Sequence, residues 1–101
     1  MKKTANIILE YSKNGISRVK LNQRDNYNAL SSNTLKVLIR IFKSLNSDNN
    51  TRVIIIEGLG KGFCAGHDLK EVRGLKNKLK YNKLFNLCSK LMLEIIEGRK
   101  P

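Results

Sequence analysis

The stretch Gly60-Lys61-Gly62-Phe63-Cys64-Ala65-Gly66-His67-Asp68-Leu69-Lys70-Glu71 holds most of the residues that could do chemistry, and it follows the apolar run Val53-Ile54-Ile55-Ile56. A strand that feeds a glycine-bearing turn, which then opens a helix at His67 and Asp68, aims free backbone N–H groups at a negative oxygen. Such donors make half of an oxyanion hole. Other chemistries fit the spacing less well. Gly58-Leu59-Gly60-Lys61-Gly62 resembles a nucleotide loop only in its glycines. A phosphate loop needs Gly where Ile55 stands and Ser or Thr where Gly62 stands, and a dinucleotide fingerprint needs Gly at Phe63. Cys64 and His67 could pair as a thiolate and its base. No acidic third member is placed to orient the imidazole, so a small residue in a tight turn is the simpler reading of Cys64. His67 is the one histidine, with no Cys or carboxylate at ligand spacing, and no metal site is expected.

The elements that must position this stretch can be read from periodicity. Residues 5–11 and 16–21 are strand-like, and Lys13-Asn14-Gly15 between them supplies positive-φ residues for a hairpin turn. Ser31 or Ser32 offers an oxygen to cap a helix in which Leu35, Leu38, Phe42 and Leu45 recur at spacings of three and four, with Val37 and Ile41 widening the apolar face. That helix is expected to end within residues 46–50. Residues 53–57, with three consecutive isoleucines, read as a strand buried on both faces. A second long helix is expected over residues 81–97, where Leu84, Cys88, Leu91 and Ile95 keep helical spacing. The fold class is therefore α/β: β-hairpin, helix, buried strand, short helix, long helix, with three strands in the sheet.

Length and charge bound the function. At 101 residues the chain makes one small domain. Lys and Arg total 20 against 8 Asp and Glu, a formal net charge of +12 that invites an anionic partner. The densest basic stretch, residues 70–83, contains only Tyr81 as an aromatic and so lacks the interleaved stacking platform of a nucleic-acid binder. It reads as a solvated face, part of which could meet phosphates on a small cofactor. Cys64 and Cys88 are expected to be free thiols in a reducing cytoplasm. The start Met1-Lys2-Lys3 is followed by an apolar stretch of only Ile7-Ile8-Leu9 before Glu10, so no secretion signal is expected. No apolar run approaches the roughly 20 residues needed to span a bilayer, and no membrane association is expected.

Taken together, Leu21-Asn22, Asn28-Ala29-Leu30, the strand Val53-Ile54-Ile55-Ile56-Glu57-Gly58 and Lys61-Gly62-Phe63-Cys64-Ala65-Gly66-His67-Asp68-Leu69-Lys70-Glu71 resemble the enoyl-CoA hydratase/isomerase (crotonase) superfamily. The form Gly-His-Asp-Leu-Lys-Glu and the Cys88-Ser89-Lys90 helix are most similar to its hydratase-domain proteins of uncertain substrate. The resemblance implies the N-terminal part of a crotonase-like spiral ββα fold, with residues 1–101 an incomplete domain. It also implies an acyl-CoA thioester as substrate, with coenzyme A a part of that substrate rather than a permanently bound cofactor. The backbone N–H of His67 would be one of two donors to the acyl carbonyl as it becomes an enolate. Asn28, Ala29 and Leu30, with Ala65, Gly66, His67, Asp68 and Leu69, would surround the pantetheine and adenine, largely through backbone, and Arg24 and Lys70 could face the phosphates. Where family members carry Arg-Pro after Leu-Asn, this chain has Gln23-Arg24.

The second oxyanion donor and the catalytic carboxylates of the family lie beyond Pro101, and Glu57, Asp68 and Glu71 are not at the family's catalytic positions. Three readings follow: the first part of a lyase-like acyl-CoA enzyme of fatty acid metabolism, completed by a separate chain and oligomeric only then; an inactive remnant of a truncated gene; or a small basic anion-binding module.

Overall fold

The computed structural model describes residues 2–4 and 6–101, with side chains from Asn6 onward, so Met1 and Ala5, the latter expected in the first strand, lie outside the described residues. The strands are β1 (Lys2–Thr4), β2 (Ile7–Tyr11), β3 (Ile16–Leu21) and β4 (Val53–Gly58). The helices are α1 (Ser32–Ser47), α2 (Leu69–Gly74) and α3 (Lys78–Ile96), with a 3-10 turn at Arg24–Asn26.

β2 and β3 form the expected antiparallel hairpin, in register from Ile7 opposite Leu21 to Tyr11 opposite Ser17. Alternation decides its inner face: Ile7, Leu9, Ser17, Val19 and Leu21 are buried, and their neighbours are not. In the turn only Gly15 has positive φ (83°); Asn14, expected to share that role, does not. β4 lies parallel to β3, Ile16 opposite Val53 and Leu21 opposite Gly58. α1 supplies the crossover that a parallel pair requires. β1 adds a fourth strand on the far side of β2, where three strands were expected.

Ser31 caps α1, its Oγ accepting from the Thr34 N–H at 3.2 Å. Leu35, Leu38, Phe42 and Leu45 are all buried as the spacing predicts. Val37 and Ile39 complete the apolar face, while Ile41 is half-buried against it. α3 begins at Lys78, earlier than expected, because the Asn77 side chain accepts from the Lys80 N–H and caps it. It packs on α1 through Leu84 and Leu91, with Cys88 half-buried between them, whereas Ile95 is 41% exposed and stands outside the core.

β4 is the main departure. Burial on both faces was expected, but β4 is the edge of the sheet, with Val53 exposed and the rest half-buried. Ile54 and Ile56 pack on the core, and nothing in the core meets Ile55. The residues after α3 return to this edge: the Pro101 carbonyl accepts from the Ile54 N–H at 2.9 Å. The Lys100 ammonium donates to the carbonyls of Leu45 and Asp48 at the end of α1. Among the described residues no helix is long and apolar enough to cross a membrane.

Candidate functional site

Two segments that are far apart in sequence are laced together at the carboxyl end of β4. Tyr27 and Asn28 both adopt left-handed backbone (φ 55° and 58°), a conformation that asparagine tolerates better than most residues. This turns the Asn28 side chain inward, where it is 3% exposed. Its Nδ2 donates toward the carbonyls of Leu59 (3.1 Å), Gly62 (3.0 Å) and Phe63 (3.1 Å), and its Oδ1 accepts from the Gln23 N–H at 2.7 Å. The Ala65 N–H donates to the Tyr27 carbonyl at 2.9 Å, so the backbone of the two segments is joined as well.

At the same junction Leu30 and His67 form a parallel bridge. The Leu30 N–H donates to the Gly66 carbonyl (2.7 Å) and the Asp68 N–H to the Leu30 carbonyl (2.8 Å). In a parallel bridge the middle residue of the triplet turns its own amide away from the partner strand. His67 is that residue, and among the described residues its N–H has no acceptor. Gly66 has φ +89°, and nothing lies within 4 Å of where a Cβ would sit. The dihedral, not lack of room, is what calls for glycine there.

The helix was expected to open at His67 and Asp68, but it opens one step later. Asp68 is the cap of α2, its Oδ1 accepting from the N–H groups of Lys70 (3.0 Å) and Glu71 (3.4 Å). His67 remains extended because its neighbours are tied to Leu30. The unbonded amide thus comes from the bridge rather than from a helix end.

A cleft of about 550 Å³ lies over this junction, with Ala29, Ala65, His67, Asp68, Leu69 and Lys70 in its wall beside Gln23, Asp25 and Asn26. Of the residues expected around coenzyme A, five line the cleft. The other three, Asn28, Leu30 and Gly66, form the frame behind it. Arg24 does not line the cleft; its Cγ stands 3.0 Å from where a Cβ on Gly60 would be.

The side chains that could compete as catalysts are engaged elsewhere. The His67 ring meets Phe85 of α3 edge-on, centroids 5.3 Å apart, and its Nδ1 is buried without a hydrogen-bond partner. Cys64 is half-buried against the core, with no hydrogen bond to His67 among the described residues. Glu57 pairs with Arg18 at 3.5 Å. Both Glu71 oxygens accept from the Ser32 N–H (3.0 and 3.2 Å), which fastens α2 to the start of α1. The two carboxyls held below their ordinary range, Glu10 by the Lys20 ammonium and Asp48 by the Thr51 hydroxyl and the Asn50 N–H, belong to the hairpin and to the end of α1.

The clamp made by the Asn28 side chain was not foreseen. The available signal was weak: an asparagine in a polar, turn-rich stretch, of a type enriched at left-handed positions. Gly58 was missed in the same way. A Cβ there would stand 2.3 Å from the Phe63 carbonyl oxygen, so glycine allows the turn to fold back on β4.

Comparison with known proteins places this arrangement. The family model for enoyl-CoA hydratase/isomerase matches residues 11–101. The mitochondrial enoyl-CoA hydratase domain-containing protein 3 of Xenopus laevis is 40% identical over 77% of this chain and 26% of its own length. The crystal structure of enoyl-CoA hydratase from Mycobacterium smegmatis superposes with a TM-score of 0.93 at 35% identity, covering 97% of this chain and 38% of that one. An enoyl-CoA hydratase from Bacillus anthracis superposes with a TM-score of 0.90 at 33% identity, over 96% of this chain and 38% of that one. The chain thus spans between a quarter and two fifths of the length of these three relatives. By the match over residues 11–101 and the shared fold, the chain belongs to the enoyl-CoA hydratase/isomerase family.

Proposed function

We propose that this chain forms the thioester-facing part of an acyl-CoA site, in which the His67 N–H donates to the acyl carbonyl oxygen as it gains negative charge. The observation that carries this reading is the His67 amide itself, which has no acceptor among the described residues while the amides that make its bridge are bonded at 2.7 and 2.8 Å. A donor held by a bonded frame needs no reorganisation when charge develops. A single such donor is worth about 2.7–4 kcal/mol in a water-excluded site. The walls of Ala29, Ala65 and Leu69 are small or apolar and leave backbone close to a ligand, while Lys70 gives the cleft a cation for a phosphate. Glu57, Asp68 and Glu71 are bonded elsewhere, so the proton transfers of hydration or isomerisation are assigned to groups outside these residues.

The backbone nature of the donor makes the reading testable. In the assembled protein, His67→Ala keeps the N–H and is expected to hold kcat within about threefold of the parent. His67→Pro removes the N–H and is expected to lower kcat by about 100-fold or more. Affinity for coenzyme A without an acyl group should change little in either, because that ligand has no thioester carbonyl. Equal kcat losses in both variants would assign the role to the imidazole and overturn the proposal.

A further inference from the structure

A second cleft, of about 460 Å³, opens between α3, α2 and the start of α1. It shares no residue with the cleft over His67. Its apolar wall is made of leucines, Leu84 buried and Leu75 and Leu87 half-buried. Around them stand four lysines, Lys36 from α1 and Lys80, Lys83 and Lys90 from α3, all exposed. Helical spacing explains the second feature: Lys80, Lys83 and Lys90 are three and seven apart and share a side of α3.

The charge of the four lysines is offset within the wall only by the single carboxylate of Glu71, with which none of them forms an ion pair. Among the described residues the ion pairs are Arg18–Glu57 and Lys20–Glu10, neither of them at this cleft. The one carboxylate in the wall, Glu71, has both oxygens on the Ser32 N–H. Four unpaired ammonium groups around an apolar floor are complementary to a ligand with a negative head and an apolar tail. A bare anion would leave the leucines unused, and a neutral chain would leave the lysines unused. The volume lies in the range of small-molecule sites, about 300–1,000 Å³, and is too small for a folded partner to enter.

We propose that this cleft is a binding site for a chain-bearing anion, an alkyl tail on Leu75, Leu84 and Leu87 with a carboxylate or phosphate head among the four lysines. The site is independent of the thioester reading, since it uses none of the same residues.

Calorimetric titration of the full chain, below the micelle concentration of each probe, tests it. Dodecanoate and dodecyl phosphate are expected to saturate at one per chain. Relative preference between the two tells which head the lysines favour, and saturation by either supports the site. Glycerol monolaurate, uncharged and of equal tail length, and acetate, charged and without a tail, should each bind at least tenfold more weakly. The pair Lys80→Ala and Lys83→Ala, both solvent-exposed and so compatible with the fold, should weaken dodecanoate at least tenfold. The pair Lys13→Ala and Lys43→Ala, which removes the same charge elsewhere, should not. Equal binding of the uncharged probe, equal loss in both lysine pairs, or uptake without saturation would each overturn the proposal.

Discussion

Asn28 brings one amide nitrogen within 3.0–3.1 Å of three carbonyl oxygens, those of Leu59, Gly62 and Phe63. It has two hydrogens for three acceptors, so at least one is shared, and the carbonyls depend on it because Asn28 is buried. Asn28→Ala would leave these groups and the Gln23 N–H without their partner. A loss of about 2–4 kcal/mol is expected by urea unfolding at neutral pH, from several bonds each worth about 0.5–1.5 kcal/mol. Asn28→Asp should cost more than Ala, since it turns a carboxylate oxygen toward the carbonyls in place of N–H. An Asp variant as stable as the parent would refute the clamp. Asp48 makes a second prediction at this scale. Its carboxyl is held below its ordinary range by the Thr51 hydroxyl, at 2.6 Å, and then by the Asn50 N–H, at 3.0 Å. A group whose pKa is lower in the folded state stabilises above its unfolded pKa, and the contribution is lost as pH falls through the folded one. The stability gap between the parent and Asp48→Asn should therefore be full near neutrality and shrink only below the ordinary carboxyl range. A gap that is the same in acid and at neutrality would contradict this.

At the scale of elements, the end of β4 has to meet the turn that follows it, and Gly58 is the point of contact. A Cβ there would lie 2.3 Å from the Phe63 carbonyl oxygen and 2.6 Å from its Cα, both backbone atoms that cannot rotate aside. Gly58→Ala should cost about 1–3 kcal/mol, as overpacking does. Because the displaced backbone leads to the Leu30–His67 bridge, amide exchange at Leu30 and Asp68 should quicken as well. Unchanged exchange at both would separate the turn from the bridge. What was legible in the sequence follows from locality. The hairpin and both long helices are visible because alternation of Ile7 and Leu9 and the spacing of Leu35, Leu38, Phe42 and Leu45 are short-range patterns. Burial of β4 was misread, because three isoleucines report what a strand could bury and its neighbours decide what it does. The cleft residues were found through a motif, yet the reason His67 presents its amide is a bridge to Leu30, thirty-seven positions away. The left-handed backbone of Tyr27 and Asn28 was invisible for the same reason, since it is maintained by contacts with residues 59–65.

At the scale of the whole molecule, 20 basic residues face 8 acidic ones, and among the described residues the ion pairs Arg18–Glu57 and Lys20–Glu10 leave most of the basic groups with no charged partner. Several large apolar side chains are exposed as well, among them Leu79 (65%) and Ile96 (76%). The two features oppose each other. Like charge repels copies of the chain from one another, and it also strains the folded state, because folding brings the charges closer together than they are in the unfolded chain. Salt acts on both at once, shortening the screening length from about 30 Å at 0.01 M to about 8 Å at 0.15 M. It also weakens the two ion pairs, but pairs open to solvent stabilise little, so relief of repulsion among a formal excess of +12 should dominate. Sodium chloride raised over that range is therefore expected to increase the melting temperature of the dilute chain. Light scattering on concentrated samples should, over the same range, show growing self-association as the exposed apolar groups lose their electrostatic shield. A melting temperature that falls with salt would mean that the ion pairs outweigh the repulsion, and scattering that does not change would mean that charge is not what keeps the copies apart.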